Sequence, residues 1–162
     1  RSGGAIEVSS VLGKGSKFDV YWPQLVYEVS EVKEPAELPK GDGRMVLIVD
    51  DMVDFKELLE ANLTVHGFRT AGFIEVNGAL DFFRKNSGQV DIALVDYMMP
   101  GMNGNELAER LHEIRPDLPV VLVSGYSSSV TEENATEYGF AAAISKPVET
   151  AHLLHTISKC LS

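Results

Sequence analysis

Three stretches of the chain read as continuous apolar strands: "RMVLIVD" from Arg44, "DIALVD" from Asp91 and "LPVVLVS" from Leu118. Strands without polar alternation are covered on both faces, as in a parallel sheet. Between them the period lengthens to that of a helix. "FKELLEANLTVHG" carries Phe55, Leu58, Leu59 and Leu63 at helical spacing and closes on Gly67. "VNGALDFFRKN" reads as an amphipathic helix, and "NELAERLHEI" as another. Asn103 stands three residues before Glu106 there, the spacing of a capping box. "FRTAGF" and "AAAISKP" predict two shorter strands. "SVTEENATEYG" predicts a polar helix ending at Gly139, with Val130 and Tyr138 as its main large apolar residues, and "ETAHLLHTISKCL" a last helix. Five strands alternating with five helices predict an α/β fold, a parallel sheet with helices on both faces.

The first residues follow a different pattern. Ile6 and Val8 alternate on one face of a strand, and Phe18, Val20 and Trp22 on one face of the next, with turn glycines in "VLGKGS" between them. Two strands alone cannot bury enough surface to be stable in water, so this β-hairpin reads as the remnant of a larger sheet. Residues 26–43 hold five acids, two lysines and two prolines, the composition of a linker. The chain therefore divides into segments 1–25, 26–43 and 44–162.

Composition narrows the function. The 162 residues carry a net charge of −10, which argues against direct nucleic-acid binding. No apolar run approaches the roughly 20 residues that span a membrane, and no apolar stretch follows a basic start as in a secretory signal. Cys160 is the single cysteine, so no internal disulfide can form. A lone thiol fits a reducing cytoplasm, and its helical position reads as packing. His152 and His155 are three apart on a helix, but nothing else adds to them as metal ligands; with His66 and His112 they read as ordinary surface or packing residues.

The strand ends carry the chemistry. Ligands of open parallel sheets bind beyond the C-terminal strand ends, at the switch point of the topology. Here the first strand of the sheet ends in Asp50 and Asp51, the third in Asp96, the fourth in Ser124 and the fifth in Lys146. With strand order 2-1-3-4-5, three carboxylates, a hydroxyl and an ammonium share one crevice. Adjacent carboxylates raise one another's pKa, and a hard cation such as Mg²⁺ relieves the conflict while keeping sites for water and phosphate oxygens. Such a site suits phosphoryl transfer, with Asp96 as nucleophile and Lys146, Ser124 and loop N–H groups stabilising the phosphoryl oxygens.

"VDD" at the first strand, "DYMMPGMNG" at the third, "SGY" at the fourth and "KP" at the fifth together resemble the response-regulator receiver domain of two-component signalling, a flavodoxin-like (βα)5 fold. The resemblance covers 44–162. It implies that Asp96 accepts a phosphoryl group from a phosphohistidine on a histidine kinase or histidine phosphotransfer protein. It also implies that Asp51, Asp96 and the Met98 carbonyl bind Mg²⁺ directly and Asp50 through water. Lys146 would pair with the phosphoryl group, Ser124 would hydrogen-bond it, and the Lys146–Pro147 peptide would be cis. The segment "GGAIEVSSVLGKGSKFDVYWP" is similar to the last strands of a histidine-kinase ATP-binding domain. A hybrid sensor histidine kinase is thereby implied, its phosphorylatable histidine and nucleotide motifs lying outside this sequence. A homodimer is compatible with the hairpin pairing to another copy.

One position departs from the family. Three residues before the lysine, where the family often has Tyr or Phe as a rotating switch, stands Ala143; Tyr126, two residues after Ser124, is a candidate for part of that role. Alternatives are a degenerate receiver that only binds partners, and an aspartate-nucleophile phosphohydrolase. The latter needs an acid two residues after the nucleophile, where this chain has Met98. A dinucleotide-binding domain needs a Gly-rich turn after its first strand, where this chain has "DDMVD". Enzyme status stays open: a receiver catalyses only its own phosphorylation and dephosphorylation.

Overall fold

A computed structural model describes residues 5–21, 38–125 and 130–162. The chain falls into two compact units, Arg1–Ala36 and Glu37–Ser162. In the first, β1 (Ala5–Val11) pairs antiparallel with β2 (Gly15–Tyr21), with Ile6 opposite Val20 and Val8 opposite Phe18. All four of these side chains are exposed. Trp22 and most of the 26–43 segment lie outside the described residues.

In the second unit every strand of the sheet is parallel to its neighbours. The strands are β3 (Met45–Val49), β4 (Arg69–Phe73), β5 (Ile92–Asp96), β6 (Val120–Ser124) and β7 (Ala142–Ser145), in the spatial order β4-β3-β5-β6-β7. Counted within the sheet this is the expected order 2-1-3-4-5. The helices are α1 (Val53–Val65), α2 (Val76–Asn86), α3 (Gly104–Ile114) and α4 (Thr150–Cys160). Residues 38–43 also belong to this unit: Leu38 packs on the core and the Gly41 N–H donates to the His66 carbonyl at 2.8 Å.

Strand alternation divides the core into two layers. Leu47, Val49, Ala93, Val95, Val120 and Leu122 meet α2 and α3 through Ala79, Leu80, Phe83, Leu107 and Leu111. Val46, Ile48, Ile92, Leu94, Val121, Val123 and Ile144 meet α1 and α4 through Leu59, Leu63, Leu153, Leu154 and Ile157. Each large side chain buried this way contributes about 1.5–3 kcal/mol, so the central strands are apolar on both faces for an energetic reason.

Two expectations change. Leu58 is 62% exposed. The stripe facing the sheet is Phe55, Leu59 and Leu63, at i, i+4 and i+8, and Leu58 sits about 100° away from Leu59 around the helix. The predicted helix before Gly139 reduces, among the described residues, to one 3-10 turn, Ala135–Tyr138. Its polar residues take local bonds instead: Asn134 Oδ1 accepts from Thr131 N–H at 2.6 Å, and the Asn134 carbonyl accepts from Glu137 N–H at 3.0 Å. Such side-chain competition disfavours a continued helix. Gly139 still terminates the element, at φ 81°.

Candidate functional site

The alternation that builds the core also builds the site. Val46 and Ile48 face α1 and α4, and the next residue of that parity is Asp50. Ile92 and Leu94 are followed in the same way by Asp96, and Ile144 by Lys146. The ends of β3, β5 and β7, the last two separated by β6, therefore deliver two acids and a base to one face. Lys146 Nζ lies 2.7 Å from Asp50 Oδ2 and 2.8 Å from Asp96 Oδ1. Asp50 is 1% and Asp96 7% exposed.

The backbone fixes both carboxylates. Met52 N–H donates to Asp50 Oδ1 at 2.9 Å, and Met98 N–H to Asp96 Oδ2 at 3.0 Å. Lys146 is tied to the sheet by its own N–H, which donates to the Ser124 carbonyl at 2.7 Å. The Lys146–Pro147 peptide is cis. Nζ also stands 4.2 Å from the centroid of the Phe55 ring, a residue counted in sequence only among the apolar positions of α1. Its place four residues after Asp51, on the stripe that faces the sheet, was the available signal.

The electrostatics follow from burial and pairing. Burial pushes the Asp50 carboxyl above its ordinary value, against the pull of the Lys146 ammonium and the Met52 N–H. Burial also works against charge on Lys146, but the Asp50 and Asp96 carboxylates outweigh it and hold the ammonium above the usual lysine value. One cation thus serves two buried anions, and the site keeps a negative surplus.

Other sequence candidates lie at the periphery. Asp51 is half-buried and borders a cavity of about 480 Å³ with Glu75, Asn77 and Met99. Among the described residues, no three His, Cys, Asp or Glu side chains converge as a ready metal cage. Ser124 is buried at the end of β6, one residue beyond the Asp96–Val123 pair, and shares the parity of Leu122 rather than of Lys146. Ala143 is buried beside a cavity of about 460 Å³ that Glu132 and His152 also line. Tyr126 lies outside the described residues. Cys160 packs against the α1/α4 layer, and burial raises its thiol pKa.

Behind Asp96 the loop is closed by close contacts. Gly104 N–H donates to the Tyr97 carbonyl at 2.9 Å, and a Cβ on Gly104 would stand 2.7 Å from the Asp96 carbonyl oxygen. The Asn103–Glu106 capping box is complete, with both bonds near 3 Å (3.0 and 3.1 Å). This is the reason for "NG" at that point of the sequence.

A doubly wound sheet with acids at its switch point and a lysine across from them defines a class of signalling module. The chain belongs to the response regulator receiver domain family, whose model matches residues 46–158. Sensor kinase CckA of Brucella abortus (strain 2308) is 29% identical over 99% of this chain, which spans 18% of that protein. Response regulator receiver protein CpdR of the same organism is 30% identical over 73% of this chain and 97% of its own length. The CheX-CheY-BeF3-Mg complex of Borrelia burgdorferi superposes with a TM-score of 0.67 at 23% identity, over 74% of this chain and 90% of that one. The chain is thus a receiver domain of two-component systems. Receiver domains bind Mg²⁺ and work with histidine kinases or phosphotransfer proteins. No helix among the described residues is long and apolar enough to cross a membrane.

Proposed function

We propose that Asp96 is the phosphoacceptor of a phosphorelay, taking its phosphoryl group from a phosphohistidine in a Mg²⁺-dependent reaction. The observation that carries this is the clamp on Asp96: one carboxylate oxygen faces the Lys146 ammonium and the other the Met98 N–H. An Asp96 oxygen forms a bond to phosphorus as the P–N bond to the donor imidazole breaks. The bonding pair leaves with the ring nitrogen, which takes a proton from solvent. Lys146 then faces the new phosphoryl oxygens, and Ser124 is the hydroxyl that reports their arrival.

The donor set fits Mg²⁺. Asp50, Asp51 and Asp96 are hard oxygen donors around a single ammonium, and Mg²⁺ needs only one or two carboxylates beside water and phosphate oxygens. Asp51, Asp96 and the Met98 carbonyl would hold it directly and Asp50 through water. Bound there, it neutralises charge on the transferring group. An incomplete cage is compatible with a metal that shares its ligands with the phosphoryl group.

The domain division 1–25, 26–43 and 44–162 belongs to the same proposal. The likeness to CckA runs through the hairpin as well as the sheet. The exposed Ile6, Val8, Phe18 and Val20 form the face that the rest of a kinase ATP-binding domain would cover. The parent protein is then a hybrid sensor kinase working in the cytoplasm, and this chain lacks its kinase catalytic core.

Intact mass after incubation with acetyl phosphate and Mg²⁺ tests the assignment. The expected gain is one phosphoryl group, about 80 Da, dependent on Mg²⁺ and absent in Asp96→Asn. Full labelling of Asp96→Asn would refute it. Ala143 supports a second reading, a receiver that binds partners without a phosphorylation readout; absence of labelling from a cognate phosphohistidine protein would favour it.

A further inference from the structure

Resting on the phosphoacceptor reading, we infer that Phe55 is a positioning residue for Lys146, holding its ammonium at the Asp50–Asp96 pair and so setting the rate of phosphoryl acceptance. Lysine is a point charge on a flexible four-carbon stem, with three donors that select no geometry by themselves. Two of those donors are used, on Asp50 at 2.7 Å and on Asp96 at 2.8 Å. Lys146 and Phe55 together line a groove of about 640 Å³ with Met52, Leu58, Gly125 and Pro147. The Lys146 side chain is one-fifth exposed, so its ammonium has a way out toward solvent.

The Phe55 ring holds the ammonium at the wall of that groove. Its centroid lies 4.2 Å from Nζ, inside the range of about 6 Å over which the negative ring face attracts a cation. Phe55 comes from the first turn of α1, on the helix face that continues as Leu59 and Leu63. The ring therefore sits on the same side of the sheet as the parity that delivers Asp50, Asp96 and Lys146. Phe55 is only half-buried, so packing alone asks for no aromatic there; a leucine would cover the same core edge.

The test is a double-mutant cycle read in two ways on the full chain. In urea unfolding, Phe55→Leu in the native background should lower the folding equilibrium constant about five-fold more than it does in the Lys146→Met background. Equal losses in the two backgrounds overturn the inference. In acetyl phosphate labelling with Mg²⁺, Phe55→Leu should lower the maximal rate about five-fold at unchanged half-saturation, and Phe55→Trp should restore it. Labelling of Phe55→Leu at the native rate also overturns it. If the native chain takes up no phosphoryl group from acetyl phosphate or from a cognate phosphohistidine protein, the phosphoacceptor reading fails, and the unfolding cycle alone decides whether the ring positions Lys146.

Discussion

Replacing Gly104 with alanine isolates how tightly the loop behind Asp96 is built. The added Cβ would meet the Asp96 carbonyl oxygen at 2.7 Å, Leu122 Cδ1 at 2.9 Å and Tyr97 Cα at 3.1 Å. Two of these are backbone atoms and cannot rotate away. Overpacking of a filled site costs about 1–3 kcal/mol. Against this, alanine is favoured over glycine in a helix by about 0.5–1 kcal/mol, a gain reduced at the first position of α3. The net expectation is a loss of about 1–2 kcal/mol. Urea unfolding gives the number through a lower midpoint at unchanged slope. Gly88→Ala is the control, because its Cβ meets nothing within 4 Å and its backbone is not left-handed; it should be neutral or stabilising. Phosphoryl uptake by Gly104→Ala should fall as well, since relief of the clash moves the Asp96 carbonyl. A Gly104→Ala chain as stable as Gly88→Ala would refute the close-approach argument.

Asn103→Ala removes the side-chain acceptor of the capping box and should cost about 1 kcal/mol in the same assay; an unchanged midpoint would show that the cap adds nothing. The pH dependence has a defined sign. Asp50 has a folded pKa above its ordinary 3.8, so from 3.8 up to that raised value the native state keeps a proton that the unfolded chain has lost. Its contribution to stability falls as pH rises through that window. Lys146 is raised above 10.5, so its contribution is complete below 10.5 and lost as pH rises past the folded value. Subtracting the Asp50→Asn and Lys146→Met unfolding curves from the native one isolates each limb. An opposite slope in either would contradict the assigned directions.

What could be read from the sequence depended on how local each cause was. The three central strands were legible because burial on both faces leaves no polar position in β3, β5 and β6 before the terminal Asp96 and Ser124. Asp50, Asp96, Ser124 and Lys146 were legible as strand-end residues because strand ends in a parallel sheet are punctuated by polar residues and loop glycines. The strand order, taken as that of a doubly wound sheet, agrees with the structure. The segment before Gly139 was misjudged because Thr131 and Asn134 satisfy the backbone locally, which helix-period counting ignores. Leu58 was misjudged because one position on a helix changes facing by about 100°. The grip of Lys146 on Asp50 spans 96 positions of sequence, and the Phe55 ring beside it is invisible until α1 is laid on the sheet.

The two sides of Asp96 are not equally stiff, and this gives the domain a direction of response. Toward α3, the carbonyl of Asp96 abuts Gly104, Tyr97 and Gly104 share a hydrogen bond, and the capping box locks the first helical turn. Toward β7, the described stretch 130–141 offers one 3-10 turn and leads into a strand of four residues at the sheet's edge. Segments with fewer cooperative ties open at lower free-energy cost. The α3 side then behaves as an anvil and the β7 edge as the compliant end, so a push delivered at Asp96 is spent along the edge that Lys146 closes. Hydrogen exchange would display this as a gradient, slow at Leu107 and fast at Thr136, steepened by whatever loads the site.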